Sequence, residues 1–103
     1  DNVSVESPTV ASYDISLTYY ISSTDSTQAV AIQEAVTKAV NDFVTWQKLK
    51  LGRDINPSKL IRDIIVAGAK RVDVSSPVFT VISPHGVAVE NNVTVTYGGL
   101  EDG

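Results

Sequence analysis

The chain holds few side chains whose types and spacing could perform chemistry. Its single histidine, His85, lies in a Ser-Pro-His-Gly string that is typical of a turn, and the sequence contains no cysteine that could join it in a metal site. A general base or a metal ligand needs a second functional group within reach. We therefore interpret His85 as a turn residue exposed to solvent.

The acidic residues do not converge on one place in the sequence. Arg and Asp are adjacent at residues 53–54 and again at 62–63, as they often are at solvated helix ends. A hydrolase needs an acid and a base that meet in the fold. Gly98-Gly99 follows a predicted strand but precedes no predicted helix, unlike a phosphate-binding loop. We expect no catalytic, cofactor-binding or metal site, and no enzymatic activity.

Size and charge restrict the possible functions further. The 103 residues suffice for one core, and 43% hydrophobic with 19% charged residues is ordinary globular composition. A net charge of −4 argues against binding nucleic acid. No apolar run approaches the about 20 residues that span a bilayer. Residues 1–12 alternate weakly and contain Pro8, so we interpret them as a linker or edge segment from a missing upstream domain, which the absence of an initial Met also suggests, and 13–103 as one domain.

The most distinctive stretch lies between two predicted helices and forms what we call the corner (residues 52–57). Gly52 suits a left-handed backbone just past a helix end, while Asn56 and Pro57 suit the N-cap and first turn of the next helix. Arg53 and Asp54 have two interpretations: they lock the corner by hydrogen bonds to backbone, or they contact a neighbouring subunit.

Two amphipathic helices flank the corner. The first is predicted from about 26 to 49, and Glu34 and Lys38 lie on its polar side at a favourable spacing for an ion pair. Its apolar stripe could belong to a coiled coil, but it covers too few heptads, which favours a helix packed on its own sheet. The second helix is predicted from Pro57 to about Ala67, ending at Gly68.

Alternating residues predict the strands. Tyr13 to Ser22 has one apolar face, and Lys70 to Ser76 alternates in the same way. After them we expect a short apolar run at 78–82, a marginal strand at 87–90 and a strand at 93–97. Asn91-Asn92 is a plausible tight turn, and residues 98–103 resemble an acidic tail that is frayed unless a partner holds it.

These elements predict an α+β fold. We expect a two-layer sandwich in the order strand-helix-helix-strand-(strand)-strand, with two helices packed on one face of a mostly antiparallel sheet. The other sheet face would carry hydroxyl side chains suited to water or to a protein contact. The candidate interface residues are Tyr20, Trp46, Thr94 and Thr96, although Trp46 also suits a position in the core or at its edge.

Four strings of the sequence resemble a known family. DISLTYYIS, WQKLKLGRDINPSKLI, AGAKRVDVSSP and VTVTYGGLED are similar to the C-terminal part of baseplate assembly protein J, in the baseplate J-like family of contractile-tailed phages and prophages. The resemblance covers nearly all of the chain from residue 13 onward, and residues 78–92 are its least family-specific part.

The resemblance implies a structural role. The chain would be part of a wedge protein in the tail baseplate, assembled in the host bacterial cytoplasm, with other wedge proteins and copies of itself as partners. It implies no cofactor, nucleic acid, membrane or small-molecule substrate. The alternatives are a receptor- or carbohydrate-binding module of a phage tail, which would need aromatic residues exposed on one loop face, and an enzyme or ligand-binding domain, which would need a pocket with titratable groups.

Overall fold

The computed structural model describes residues 9–102. Two α-helices and three strands follow one another in the predicted α+β order, with a short 3₁₀ helix, Ser23–Gln28, after the first strand. The predicted fold class is therefore confirmed. The bounds of these elements are β1 Thr9–Ser22, α1 Ala29–Lys48, α2 Pro57–Ala67, β2 Arg71–Ser76 and β3 Gly86–Glu101.

Strand β1 is the middle strand of the sheet, between β2 and β3. It pairs antiparallel with β2, where Leu17 is opposite Val74, and parallel with β3, where Leu17 is opposite Val95. The sheet is mixed, whereas we expected it to be mostly antiparallel. The chain does reverse direction between β2 and β3, but β1 lies between these two strands, so the longer pairing in the sheet is parallel.

Strand β1 begins earlier than its alternation predicted. Residues 9–12, which we expected to belong to a linker or edge segment, pair with residues 86–89 of β3. Alternation is weak there because one face of this end of the sheet is exposed at Val10 and Ser12. The rest of the predicted linker, residues 1–8, lies outside the described residues.

Strand β3 is one long strand in place of the two predicted pieces. The expected turn at Asn91-Asn92 is wrong: Tyr13 pairs with Glu90 and Ile15 with Val93, so two steps along β1 match three along β3. This β-bulge absorbs an extra residue without ending the strand. The Asp14 carboxylate accepts a hydrogen bond from the Asn92 N–H at 3.1 Å, which satisfies a backbone donor at the bulge.

The end of β3 is held by charged side chains. We expected residues 98–103 to fray, but β3 continues through Glu101, with a second register shift near Gly99, where φ is +104°. Lys70 and Arg71 each bind the Glu101 carboxylate at 2.8 Å. These ion pairs hold a segment that its local sequence would leave loose. Gly103 lies outside the described residues.

Both helices cover the same face of the sheet. The apolar stripe of α1 packs against the buried side of β1, which confirms a helix that packs on its own sheet. Helix α2 has its predicted bounds, and Gly68 follows it with φ +125°. Residues 78–82 form no strand and make one isolated bridge, between Thr80 and Ile55. The largest fully buried side chains include Phe43, Ile15, Ile21, Ile55, Leu60 and Ile64.

Candidate interaction surfaces

The corner has the predicted left-handed glycine and the predicted start of α2, although α1 ends at Lys48, earlier than the position of Gly52 implied. Gly52 has φ +72°, and its N–H donates to the Gly86 carbonyl at 2.8 Å. The Asn56 side chain accepts a hydrogen bond from the Ser58 N–H at 3.0 Å, and Pro57 is the first residue of α2. Asn56 and Pro57 fix the residue at which α2 begins. The Gly52 hydrogen bond holds the connection between the helices against the start of β3.

Polar side chains tie the corner to its surroundings. The Asp54 carboxylate accepts a hydrogen bond from the Ile82 N–H at 2.9 Å. Gln47 is fully buried, and its side-chain N–H groups donate to the carbonyls of Arg53 at 2.8 Å and Asp54 at 3.2 Å. The corner is therefore bound to α1 on one side and to the segment before β3 on the other.

The candidate interface residue Trp46 lies beside the corner and is half-buried. The Arg53 guanidinium is 4.0 Å from the centre of the indole ring, and the Lys59 ammonium is 4.6 Å from it. Arg53 also donates a hydrogen bond to the Trp46 carbonyl. Two cations of the same chain thus occupy positions over the ring, which fits the interpretation of Trp46 as a residue at the edge of the core.

The other three candidate interface residues lie on the sheet face that no helix covers. Thr94 and Thr96 are exposed there, opposite Ser16 and Thr18 of β1. The predicted hydroxyl-rich face therefore exists. Tyr20 lies on the same face, but its ring is 4.0 Å from the Arg71 guanidinium.

A shallow groove of about 370 Å³ lies on the helix side of the sheet, between α1 and β3. Glu34 is one of its lining residues. The predicted pair between Glu34 and Lys38 is wrong, because Lys38 binds Asp42 at 2.8 Å instead. Within the described residues Glu34 makes no ion pair. The groove is lined by Tyr19, Val30, Gln33, Glu34, Thr37, Val95 and Tyr97.

The single histidine lies directly before β3. His85 is exposed, and its carbonyl accepts a hydrogen bond from the Thr9 N–H at 3.1 Å. No three acidic or histidine side chains between residues 9 and 102 are placed to hold a metal ion. Neither helix has the length and apolar character needed to cross a membrane.

Sequence reasoning missed two features of these surfaces. Gln47 follows Trp46 and resembled a polar residue of a helix surface, yet it is the buried polar link to the corner. The groove was missed because alternation gives the faces of a strand but not its neighbours. The sequence placed Val95 and Tyr97 facing inward, and only the position of β3 at the edge of the sheet shows that α1 leaves them partly uncovered.

Comparison with known proteins supports the resemblance noted in the sequence. A search of curated proteins gives no significant match. A family model described as the Baseplate J-like protein C-terminal domain matches residues 13–96. That match includes the corner, both helices, β2 and β3 as far as Thr96, so it covers Val95 of the groove and stops one residue before Tyr97. The chain therefore belongs to the baseplate J-like protein C-terminal domain family, a family of structural components of the phage baseplate.

Proposed function

We propose that this chain is a wedge domain of the baseplate of a contractile-tailed phage or prophage. It corresponds to the C-terminal part of baseplate assembly protein J, and it acts through contacts with other wedge proteins and with copies of itself. Such a protein joins the tail during assembly in the host bacterial cytoplasm and carries out no chemical reaction. The family match supports the baseplate role.

The observation that carries the contact mechanism is an exposed apolar run just before β3. Val78, Phe79 and Val81 are all exposed, Phe79 by 59%. Clustered exposed apolar side chains on a folded domain are typical of protein interaction sites. The bridge between Ile55 and Thr80 holds this run, so its apolar side chains are presented from a fixed backbone.

In this proposal the corner is a structural lock. The Arg53 guanidinium and the Asp54 carboxylate both bind groups of their own chain, which favours the lock over a contact with a neighbouring subunit. Gly52, Asn56 and Pro57 set its shape. The lock would fix the position of the 78–81 run relative to both helices.

The aromatic residues argue against a carbohydrate- or receptor-binding module. Tyr13 and Tyr19 are buried, while Tyr20 and Trp46 lie under cations of the same chain. Phe79 alone among the described aromatics is strongly exposed. The neighbouring rings of Tyr19 and Tyr97, 5.4 Å apart, line the groove between α1 and β3 and do not lie on a loop face, as this alternative would require.

The experiment is a substitution of the 78–81 run in the phage that carries this gene. With Val78, Phe79 and Val81 all changed to Ser, we expect negative-stain images to show few complete baseplates and plaque counts to fall. The matched control is Val66→Ser, which changes an equally exposed valine on α2. Normal baseplates in the triple variant, with the domain folded by circular dichroism, would rule out this contact surface.

A further inference from the structure

Strand β3 presents an unpaired edge. It lies at the end of the sheet and pairs with β1 alone among the described strands. Alternate residues of this 16-residue strand therefore offer a row of backbone N–H and C=O groups on the side away from β1, beyond Gly86, whose carbonyl accepts the Gly52 N–H. Such an edge is a template for one more strand, because an added strand satisfies these groups with hydrogen bonds.

The middle of this edge lacks the usual protection. Edge strands of monomeric proteins commonly carry lysine, proline or other charges that prevent further pairing. Between Glu90 and Glu101, β3 contains no charged residue and no proline. The register shifts lie before Val93 and after Tyr97, so residues 93–97 form a regular stretch.

The groove lies directly beside this stretch. Val95 and Tyr97 form its sheet side, and Val30 of α1, 71% exposed, forms part of its other wall. Alternate side chains of a strand point to the same face, so every second residue of an added strand would enter the groove. Val93, 44% exposed, extends the apolar surface toward Asn92.

The charge of Glu34 indicates which kind of strand would pair with this edge. Glu34 is the one charged residue of the groove lining and has no ion-pair partner among the described residues. Strand β3 contains no lysine or arginine, so a second copy of β3 paired to this edge would not itself place a cation in the groove. A strand from a different protein with one basic residue would supply it.

We propose that residues 93–97 bind an extended segment of a partner protein as an added strand. Alternate apolar side chains of that segment fill the groove, and one Lys or Arg pairs with Glu34. This inference rests on the proposed assembly role, and it names the chemistry of one partner at a surface other than the 78–81 run.

The experiment uses labelled peptides of about nine residues, a common strand length, and fluorescence anisotropy. The peptides alternate Thr and Val, and one Lys is moved along the series to find its register. A second series carries Glu in place of Lys, and a third is N-methylated at alternate backbone amides. We expect the best Lys peptide to bind about two- to fivefold more tightly than its Glu counterpart, as a partly exposed ion pair allows. We expect the methylated peptides not to bind.

Two protein variants test the site itself. Glu34→Lys should exchange the preference, so that the Glu peptide binds more tightly than the Lys peptide. Val93→Lys should weaken every peptide, because it places a charge on the edge, whereas the matched control Val66→Lys on α2 should change nothing. Circular dichroism of each variant shows whether it remains folded.

Three results would overturn the proposal. They are equal binding of methylated and unmethylated peptides, an unchanged preference in Glu34→Lys, and a dimer of the unliganded chain that Val93→Lys dissociates, which would make a second copy the occupant. Failure of peptide binding together with defective baseplates in the 78–81 variant would reject this inference and keep the assembly role. Peptide binding together with normal baseplates in that variant would keep this inference and reject the assembly role of the 78–81 run.

Discussion

The Asp54 carboxylate lies 2.9 Å from the Ile82 backbone nitrogen and accepts its hydrogen bond. The two residues belong to the corner and to the segment before β3, so this bond joins parts of the chain that are far apart in sequence. Ile82 is itself buried, so loss of the Asp54 carboxylate would leave the N–H of a buried residue without this partner. Together with the two backbone hydrogen bonds between Ile55 and Thr80, Asp54 holds the exposed 78–81 run to the corner.

We expect Asp54→Ala to lower the free energy of unfolding by about 1–3 kcal/mol, the usual cost of a buried donor left without a partner. Asp54→Asn keeps an oxygen that can accept the bond and should cost less. Urea denaturation of both variants measures the difference. Equal losses in the two variants would show that the charge, and not the hydrogen bond, is what matters.

The contact between Arg53 and Trp46 can be followed by fluorescence, because Trp46 is the single tryptophan. We expect Arg53→Gln to lower the free energy of unfolding by about 0.5–2 kcal/mol through loss of the cation over the ring. The indole emission should shift as the ring gains solvent. Arg62→Gln, which removes an exposed cation paired with Asp63, is the control and should leave the emission unchanged.

The ion pairs of Glu101 should make the fold less stable in acidic solution. Hydrogen bonds from Arg71 and then Lys70 lower the pKa of its carboxyl from 4.5 to about 2. A lowered pKa in the folded state stabilises the fold above the ordinary pKa, and this contribution disappears as the pH falls from about 4.5 to about 2. Glu101→Gln should be less stable at pH 7 and should lack this part of the acid dependence. Identical pH profiles by thermal unfolding would contradict the prediction.

The buried phenol of Tyr13 should make the stability of the fold depend on pH in alkaline solution. Burial, and then the nearby Glu90 carboxylate, raise the pKa of its phenol from 10.0 to about 12. Because the raised pKa favours the protonated folded state, stability should fall as the pH rises from about 10 through 12. The Tyr13 hydroxyl is buried without a partner among the described residues, so Tyr13→Phe should be neutral or stabilising at pH 7. A loss above about 1 kcal/mol in Tyr13→Phe would mean that the hydroxyl has a bound partner.

Gly98 has no room for a side chain, because a Cβ there would overlap the ring of Tyr20. We expect Gly98→Ala to cost about 1–3 kcal/mol, the range for overpacking. In a chain that already carries Tyr20→Ala, the ring is absent. Gly98→Ala should then lower the free energy of unfolding much less than it does alone. A double-mutant cycle by chemical denaturation measures this coupling, and strictly additive losses would contradict the overlap.

The sequence predicted best what depends on neighbouring residues. The Asn56-Pro57 start and Gly68 end of α2 follow from local backbone chemistry, and both are confirmed. The alternation of β1 correctly gave its buried face. The course of β3 could not be predicted, because Asn91-Asn92 favours a turn locally and only pairing with β1 turns it into a bulge. The ion pairs of Glu101 with Lys70 and Arg71 likewise join residues that only the fold brings together. The interface roles of Thr94 and Thr96 stay predictions.

The central strand β1 has its longest pairing with β3, the last strand of the described chain. A ribosome releases β1 long before its parallel neighbour exists, and contacts between such distant residues form slowly. Until residues 86–101 emerge, β1 lacks its parallel pairing with β3. A nascent or truncated polypeptide that lacks this final segment therefore cannot complete the sheet around β1.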